Sequence, residues 1–346
     1  MLQMTLASPK TIKKSDVPVP KPARGEVVVQ ILTSGICGSD IHAYYGKHPF
    51  ISLPVVPGHE FSGVICELGE NIRGLQHGDR VTVMPQLFCG VCRNCKIGRY
   101  NICAGLKVIG CQSPGAMQEK LAVDAELVLK LPDEICFEQG AMLEPVSVGV
   151  HACRRVGGVK NKRVVVLGAG TIGNLTAQAA RAMGAEAVLI TDISDARLHL
   201  AKKCGIDYTV NIAKADLATE IERQWGADGA DLFIECVGVT SAVEQAIQVA
   251  GKGTDIIIAG VFGDMTTVSM GLVQDKELSL IGTLMYTKED WLDAMGFVES
   301  KAVLLEPLIS ARFPLAELAQ AFEYVENNKD TALKVLIISD SDNHER

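Results

Sequence analysis

The sequence lacks the features that tie a protein to a membrane or to nucleic acid. In its 346 residues no apolar stretch reaches the length of a membrane-spanning helix, and no run of Lys and Arg reaches four. The N-terminal MLQMTLASPKTIKKSD has no basic segment followed by an apolar block, so no signal peptide is expected and the cytoplasm is the expected compartment. Internal repeats and low-complexity stretches are absent too. The formal net charge is −8, which argues against a polyanion or an anionic membrane surface as the main partner. Hydrophobic residues make up 48% and charged residues 21%, an ordinary globular balance, and the length allows two domains. Cysteine, by contrast, is plentiful at eleven. In a reducing compartment these read as metal ligands, nucleophiles or buried apolar residues rather than disulfides.

Three regions differ in pattern. Residues 1–148 carry short Val-rich alternating segments, such as Glu26–Leu32, Phe61–Leu68 and Asp79–Met84, separated by turn residues; they predict a mostly-β domain. Residues 149–281 alternate apolar strands (Arg163–Leu167, Ala187–Thr191, Asp231–Cys236, Asp255–Gly260) with helical patterns (Ile172–Met183, Asp195–Cys204, Leu217–Trp225, Ala242–Ala250). Such βαβ alternation predicts a doubly wound parallel sheet, and thus an α/β fold overall. Residues 282–346 are expected to return to the first domain, with helices near Glu289–Ser300 and Leu315–Asn327, a strand at Lys334–Ile338, and a frayed tail from Ser339.

Two groups of residues carry chemistry on spacing alone. Gly168-Ala169-Gly170-Thr171-Ile172-Gly173 follows an apolar strand and opens a helix, the setting in which GxGxxG binds a dinucleotide. The helix N-terminus then faces the pyrophosphate. Asp192 ends the next strand, where an acidic side chain bonds ribose hydroxyls and repels a 2′-phosphate, favouring NAD over NADP. Arg197 lies close in sequence and either packs along the adenosine or sits on the solvated helix face. Cys89, Cys92, Cys95 and Cys103, in a lobe over about 86–104, have the spacing C-x2-C-x2-C-x7-C of a closed tetrahedral zinc site. An iron–sulfur cluster and free thiols are the alternatives; the Gly90, Asn94 and Gly98 turns suit a small zinc loop. The six cysteines outside these motifs and Cys37 read as buried small residues.

Cys37 in Gly-Ile-Cys-Gly-Ser-Asp-Ile-His, His59 and Glu60 in Pro-Gly-His-Glu, and Glu144 in Leu-Glu-Pro each have a plain structural reading when taken singly. Together with the four-Cys lobe and the GAGTIG turn, in this order and spacing, they resemble the zinc-dependent medium-chain dehydrogenases, over nearly the whole chain. The polyol branch, with its sorbitol, galactitol-phosphate and galactonate-type dehydrogenases, is the most similar. The resemblance implies a GroES-like catalytic domain, a Rossmann domain, two zinc ions per chain, NAD, and a homodimer or homotetramer. It implies Cys37 and His59 as ligands of a catalytic zinc, with Glu60 or Glu144 as the third. It implies a proton relay through Ser39 and His42, the alternative for His42 being an exposed helix histidine. Asp40 reads as support for the ligands.

Substrate contacts are expected from Tyr45, Phe88, Met117 and Tyr286. Met285 stands where sorbitol dehydrogenases carry an arginine that contacts substrate, and Gly115–Lys120 departs from the GGFAEY of many relatives. Both point from simple polyols towards a sugar acid or other sugar derivative. Threonine dehydrogenase-like oxidation of an amino alcohol and a non-catalytic binding role are the competing readings.

Overall fold

The structure is a computed structural model that describes residues 1–339; Asp340–Arg346, and with them the expected fraying of the tail, lie outside the described residues. The chain forms two compact units, Met1–Glu144 with the segment from Ile309, and Pro145–Leu308.

The first unit is built on a seven-stranded sheet. Its central strand, Glu26–Ile36, pairs antiparallel with Glu60–Leu68, with Lys120–Asp124 and with the C-terminal Lys334–Ile338. Val27, Val28 and Val29 are all fully buried, so both faces of this strand are covered, and β-branched side chains suit that pleated, packed setting. The register puts Gly35 opposite Glu60 and Ile36 opposite Val335, which gathers three distant stretches of sequence at one end of the strand.

The second unit holds a six-stranded, all-parallel sheet in the order Tyr208–Asn211, Ala187–Asp192, Arg163–Leu167, Leu232–Glu235, Asp255–Ile258, Ser279–Gly282. In sequence order this is 3-2-1-4-5-6, the doubly wound arrangement, whose ligand crevice opens where the order reverses. Alternate residues serve opposite faces. Val164 and Val166 pack in one core with Val188 and Ile190, whereas Val165 and Leu167 pack in the other with Leu189 and Phe233. Each fully buried aliphatic chain contributes about 1.5–3 kcal/mol, so the continuous apolar runs hold the layers together.

Two features depart from the sequence reading. An 18-residue helix, Phe137–Arg154, occupies a stretch with no helical periodicity, and the unit boundary falls inside it, after Glu144 rather than after residue 148. The return to the first unit comes at Ile309 rather than at residue 282. The physical reason is local. Asp290, in the helix Lys288–Glu299, accepts from His151 Nδ1 at 2.8 Å and Arg154 at 2.5 Å, and Gln178 exchanges two hydrogen bonds with the backbone of Leu304. These bonds keep residues 282–308 with the parallel sheet.

Candidate metal centres and nucleotide site

Cys89, Cys92, Cys95 and Cys103 converge. Four of their Sγ–Sγ separations are 3.5, 3.5, 3.9 and 4.0 Å. Four thiolates about 2.3 Å from one zinc stand about 3.8 Å apart, so the lobe has the dimensions of a closed tetrahedral site. Backbone N–H groups of Cys89 and Gly105 donate to Cys103 Sγ and that of Cys92 to Cys89 Sγ, each at 3.3 Å, and backbone bonds from Val91 and Cys92 hold the Cys89 thiol below its ordinary pKa. No disulfide forms among the eleven cysteines.

A second donor set gathers Cys37, His59 and Glu60, whose ligand atoms all lie within 4.8 Å of one another, close enough for one ion. Cys37 caps the helix Gly38–Tyr44, and its N–H donates to Asp40 Oδ2 at 2.9 Å. Asp40 is fully buried, and its other oxygen lies 3.8 Å from His59 Nδ1. Ser39 Oγ lies 3.4 Å from His59 Nε2. The turn carrying His59 depends on small neighbours, because a Cβ on Gly110 or Gly115 would sit 2.6 or 2.5 Å from the Gly58 carbonyl oxygen. Burial disfavours the His59 imidazolium, but the charges of Asp40 and Cys37 outweigh it and hold the pKa well above the usual histidine value.

Glu60 is fully buried and faces an ammonium group. Lys334 Nζ contacts its two oxygens at 2.7 and 2.5 Å and the Ile36 carbonyl at 3.3 Å. Lys334 is itself only 2% exposed. Burial works against its charge, yet Glu60, Cys37 and Glu144 raise its pKa above that of a free lysine. Gly35 makes the room, since a Cβ there would stand 2.1 Å from Glu60 Oε2. Glu144 is buried and electrostatically coupled to Lys334, but is not among the three mutually close donors.

In the second unit Gly168–Gly173 forms the turn between the strand Arg163–Leu167 and the helix Thr171–Ala182. Gly168 has φ +94°, and a Cβ on Gly173 would lie 1.8 Å from the Gly168 carbonyl oxygen, so turn and close packing both require glycine. A Cβ on Gly170 would meet nothing within 4 Å, and this residue caps the helix without a side-chain bond, which leaves the helix N-terminus open to an anion. Thr171 and Ile172 begin that helix. Asp192 Oδ2 accepts from Ala169 N at 2.8 Å and Oδ1 from Ser194 N at 2.9 Å, so this carboxylate braces the turn against the next strand. Arg197 lies 3.7 Å from Asp192 Oδ2.

Comparison with known proteins agrees with this geometry. The family model of the alcohol dehydrogenase GroES-like domain matches residues 23–133, and that of the zinc-binding dehydrogenases matches residues 171–300. Sorbitol dehydrogenase of Ovis aries is 35% identical over 347 residues, 98% of this chain and 96% of its own. The chain belongs to the zinc-binding dehydrogenases, in their polyol branch. In this family it also resembles the 2-dehydro-3-deoxy-L-galactonate 5-dehydrogenase of Pseudoalteromonas atlantica, 35% identical over 91% of this chain and 92% of that one. The crystal structure of galactitol-1-phosphate dehydrogenase from Escherichia coli matches with a TM-score of 0.91 and 32% identity, covering 98% of this chain and 100% of that one. Zinc and a nicotinamide cofactor are thus the chemistry of this dehydrogenase.

The expected substrate contacts differ in exposure. Met117 is fully buried in the core of the first unit, and Tyr286 is fully buried against Trp291, with ring centroids 5.2 Å apart, in the second. Both pack in these cores. Phe88 stacks on Tyr100 at 4.6 Å beside the four-Cys lobe, and Tyr45 lies 4.9 Å beneath Lys10 Nζ. His42 is exposed on its short helix. The six remaining cysteines are not uniformly buried: Cys136 is exposed, and Cys111 lies beside His59 and raises its pKa by hydrogen bonding.

Sequence reasoning missed Lys334 and Cys111. The one signal for Lys334 was a cation opening an otherwise apolar strand, KVLII. Cys111 carried none, because its nearness to His59 comes from a turn and not from ligand spacing.

Proposed function

We propose that the chain oxidises a secondary alcohol of a polyhydroxylated compound (a polyol, sugar acid or sugar phosphate) with NAD, and that it holds two zinc ions, one in each cysteine-bearing donor set. The observation that carries this reading is the composition of the open set. Cys37 and His59 are joined by the carboxylate of Glu60, with Glu144 buried as a further candidate, where the Cys2His sites of other alcohol dehydrogenases add a second thiolate. Oxygen donors make a harder site, suited to a substrate that presents neighbouring hydroxyls. The relatives' names, a sorbitol, a galactonate and a galactitol-phosphate dehydrogenase, support the same substrate class.

When bound, zinc supplies a Lewis acid that lowers the pKa of an alcohol oxygen, and the nicotinamide supplies the hydride acceptor. The chain's own residues do the rest. Cys37 and His59 hold the metal, and Asp40 fixes the Cys37 backbone at the start of its helix. Ser39 Oγ, two residues past Cys37, receives the proton leaving the substrate, and exposed His42 passes it to solvent. The Gly168–Gly173 turn takes the pyrophosphate. The second lone pairs of Asp192 remain for ribose hydroxyls, and its charge disfavours a 2′-phosphate.

The test is a panel of polyols, aldonates and sugar phosphates assayed with NAD and with NADP. Turnover with at least one member and a higher kcat/KM for NAD are expected; a preference for NADP removes the role given to Asp192. Cys37→Ser should lose one of two zinc ions and lower kcat by roughly three orders of magnitude or more, with an unchanged circular dichroism spectrum. Full activity of that variant refutes the assignment.

A further inference from the structure

The strand Leu232–Glu235, next to Arg163–Leu167 in the parallel sheet, ends on a carboxyl group that solvent does not reach. Oε1 of Glu235 accepts from the backbone N–H groups of Val237 and Gly238 at 2.7 and 2.8 Å. Its carbonyl oxygen accepts from those of Ala259 and Gly260 at 2.8 and 3.0 Å. One residue thus ties together the loops that follow two neighbouring strands. Burial pushes the carboxyl pKa up, beyond what the backbone bonds from Gly238 and Val237 offset. An apolar side chain of the same size would fill this space without that desolvation, so packing alone does not account for an acid here. The loops also fit each other closely. A Cβ on Gly238 would lie 2.5 Å from the Val261 carbonyl oxygen, and one on Gly260 would lie 2.2 Å from Gly238 N and 2.6 Å from Glu235 Oε2. A Cβ on Gly168 would lie 2.7 Å from Val237 Cγ2, so the first loop abuts the pyrophosphate turn as well.

The surface these loops carry is apolar and open. Val237, Val239 and Val261 are 48, 44 and 56% exposed, beyond the carboxyl ends of the strands, where doubly wound sheets bind their ligand. Such a sheet divides a dinucleotide between its two halves. Asp192 marks the adenosine half, on one side of Arg163–Leu167, and the three valines follow the strands on the other side, which leaves them the nicotinamide half. Their apolar side chains fit a flat ring, and Glu235 is buried out of its reach. We propose that Glu235 is a positioning residue for the nicotinamide half of the cofactor: its carboxyl fixes the Val237–Gly238 backbone between the Gly168 turn and the Gly260 loop, and so sets the apolar surface that receives the ring. The proposal rests on the cofactor reading given above.

The test uses the full-length protein with NAD, NADH and ADP-ribose, which lacks only the nicotinamide ring. If the parent binds neither NAD nor ADP-ribose, the cofactor reading itself fails, whatever Glu235 does. Given binding, Glu235→Met should weaken NAD on the order of tenfold by calorimetry and leave ADP-ribose within about twofold of the parent. The fluorescence of bound NADH, which reports the surroundings of the ring, should move towards that of free NADH. Equal weakening of both ligands, or of neither, with parent-like NADH fluorescence makes Glu235 a structural residue only and overturns the proposal, even where the melting temperature falls. Should Glu235→Met not fold, hydrogen exchange in the parent decides. A ring that depends on the Val237 and Gly238 bonds must in turn stabilise them, because such coupling is reciprocal. Exchange at those two N–H groups should therefore be slower with NAD than with ADP-ribose, and equal protection by the two ligands overturns the proposal.

Discussion

Single glycines set the tolerance of the nucleotide turn, and two neighbours separate packing from binding. A Cβ on Gly173 would meet the Gly168 carbonyl oxygen at 1.8 Å, a backbone contact that nothing flexible can relieve. Gly173→Ala should therefore cost about 1–3 kcal/mol or more of stability, read by denaturant unfolding. A Cβ on Gly170 meets nothing within 4 Å, and its φ of −66° suits any residue. Gly170→Ala should unfold like the parent yet bind NAD more weakly by calorimetry, because the added methyl occupies the space over the helix N-terminus. Equal NAD affinity in that variant would place the pyrophosphate elsewhere. At this scale the sequence was legible wherever a role needs a fixed spacing. The GxGxxG run and the C-x2-C-x2-C-x7-C run are such cases, and each converges as its spacing requires. It was illegible for Lys334, which reaches Glu60 across 274 positions of chain through strand register alone.

Among the elements, the helix Phe137–Arg154 shows why pattern reading fails on some segments. Ala141, Met142, Leu143, Val146 and Val150 are all fully buried, and Gly140, Pro145 and Gly149 interrupt the run. A helix buried on every side has no polar face to mark its period, and its Pro and Gly read as turn signals. The strands and helices of the parallel sheet were legible because buried βαβ units pair apolar runs with amphipathic stretches at short intervals. The junction between Phe137–Arg154 and Lys288–Glu299 also yields a prediction about acid. Burial would raise the Asp290 pKa, but hydrogen bonds from His151 and from Thr287 outweigh it, and the group lies below its ordinary 3.8. A depressed carboxylate stabilises the fold at neutral pH, and that contribution is lost as pH falls through the folded-state pKa. Asp290→Asn should therefore lower stability by about 2–4 kcal/mol near pH 7, with the gap from the parent closing below about pH 4. Thermal melts of both proteins across pH 3–7 would check it, and a pH-independent gap would contradict the assignment.

For the molecule as a whole, the division into two units sets how damage spreads. No described helix is long and apolar enough to cross a membrane, and each unit has its own buried cores. The four-Cys lobe belongs to the first unit alone. Cys89→Ser should lower the melting temperature of that unit while Pro145–Leu308 keeps its own transition and its NAD binding. Calorimetry should then resolve two transitions, and a single unshifted transition would deny the lobe a stabilising role. The α/β character and the two-part organisation were readable from composition shifts along the chain. The point of return, Ile309, was not, because it is decided by which buried partners Asp290 and Gln178 find.

The pairing of Lys334–Ile338 with Glu26–Ile36 also carries a consequence for biogenesis. A ribosome delivers the chain from its N-terminus, so the parallel-sheet unit is complete in sequence before the last strand of the first unit has been made. Until residue 334 emerges, Glu60 has no counter-charge and the central strand has an unpaired edge. The unit that begins translation is therefore the one whose sheet can be completed only last, after residues 145–308 have all been made.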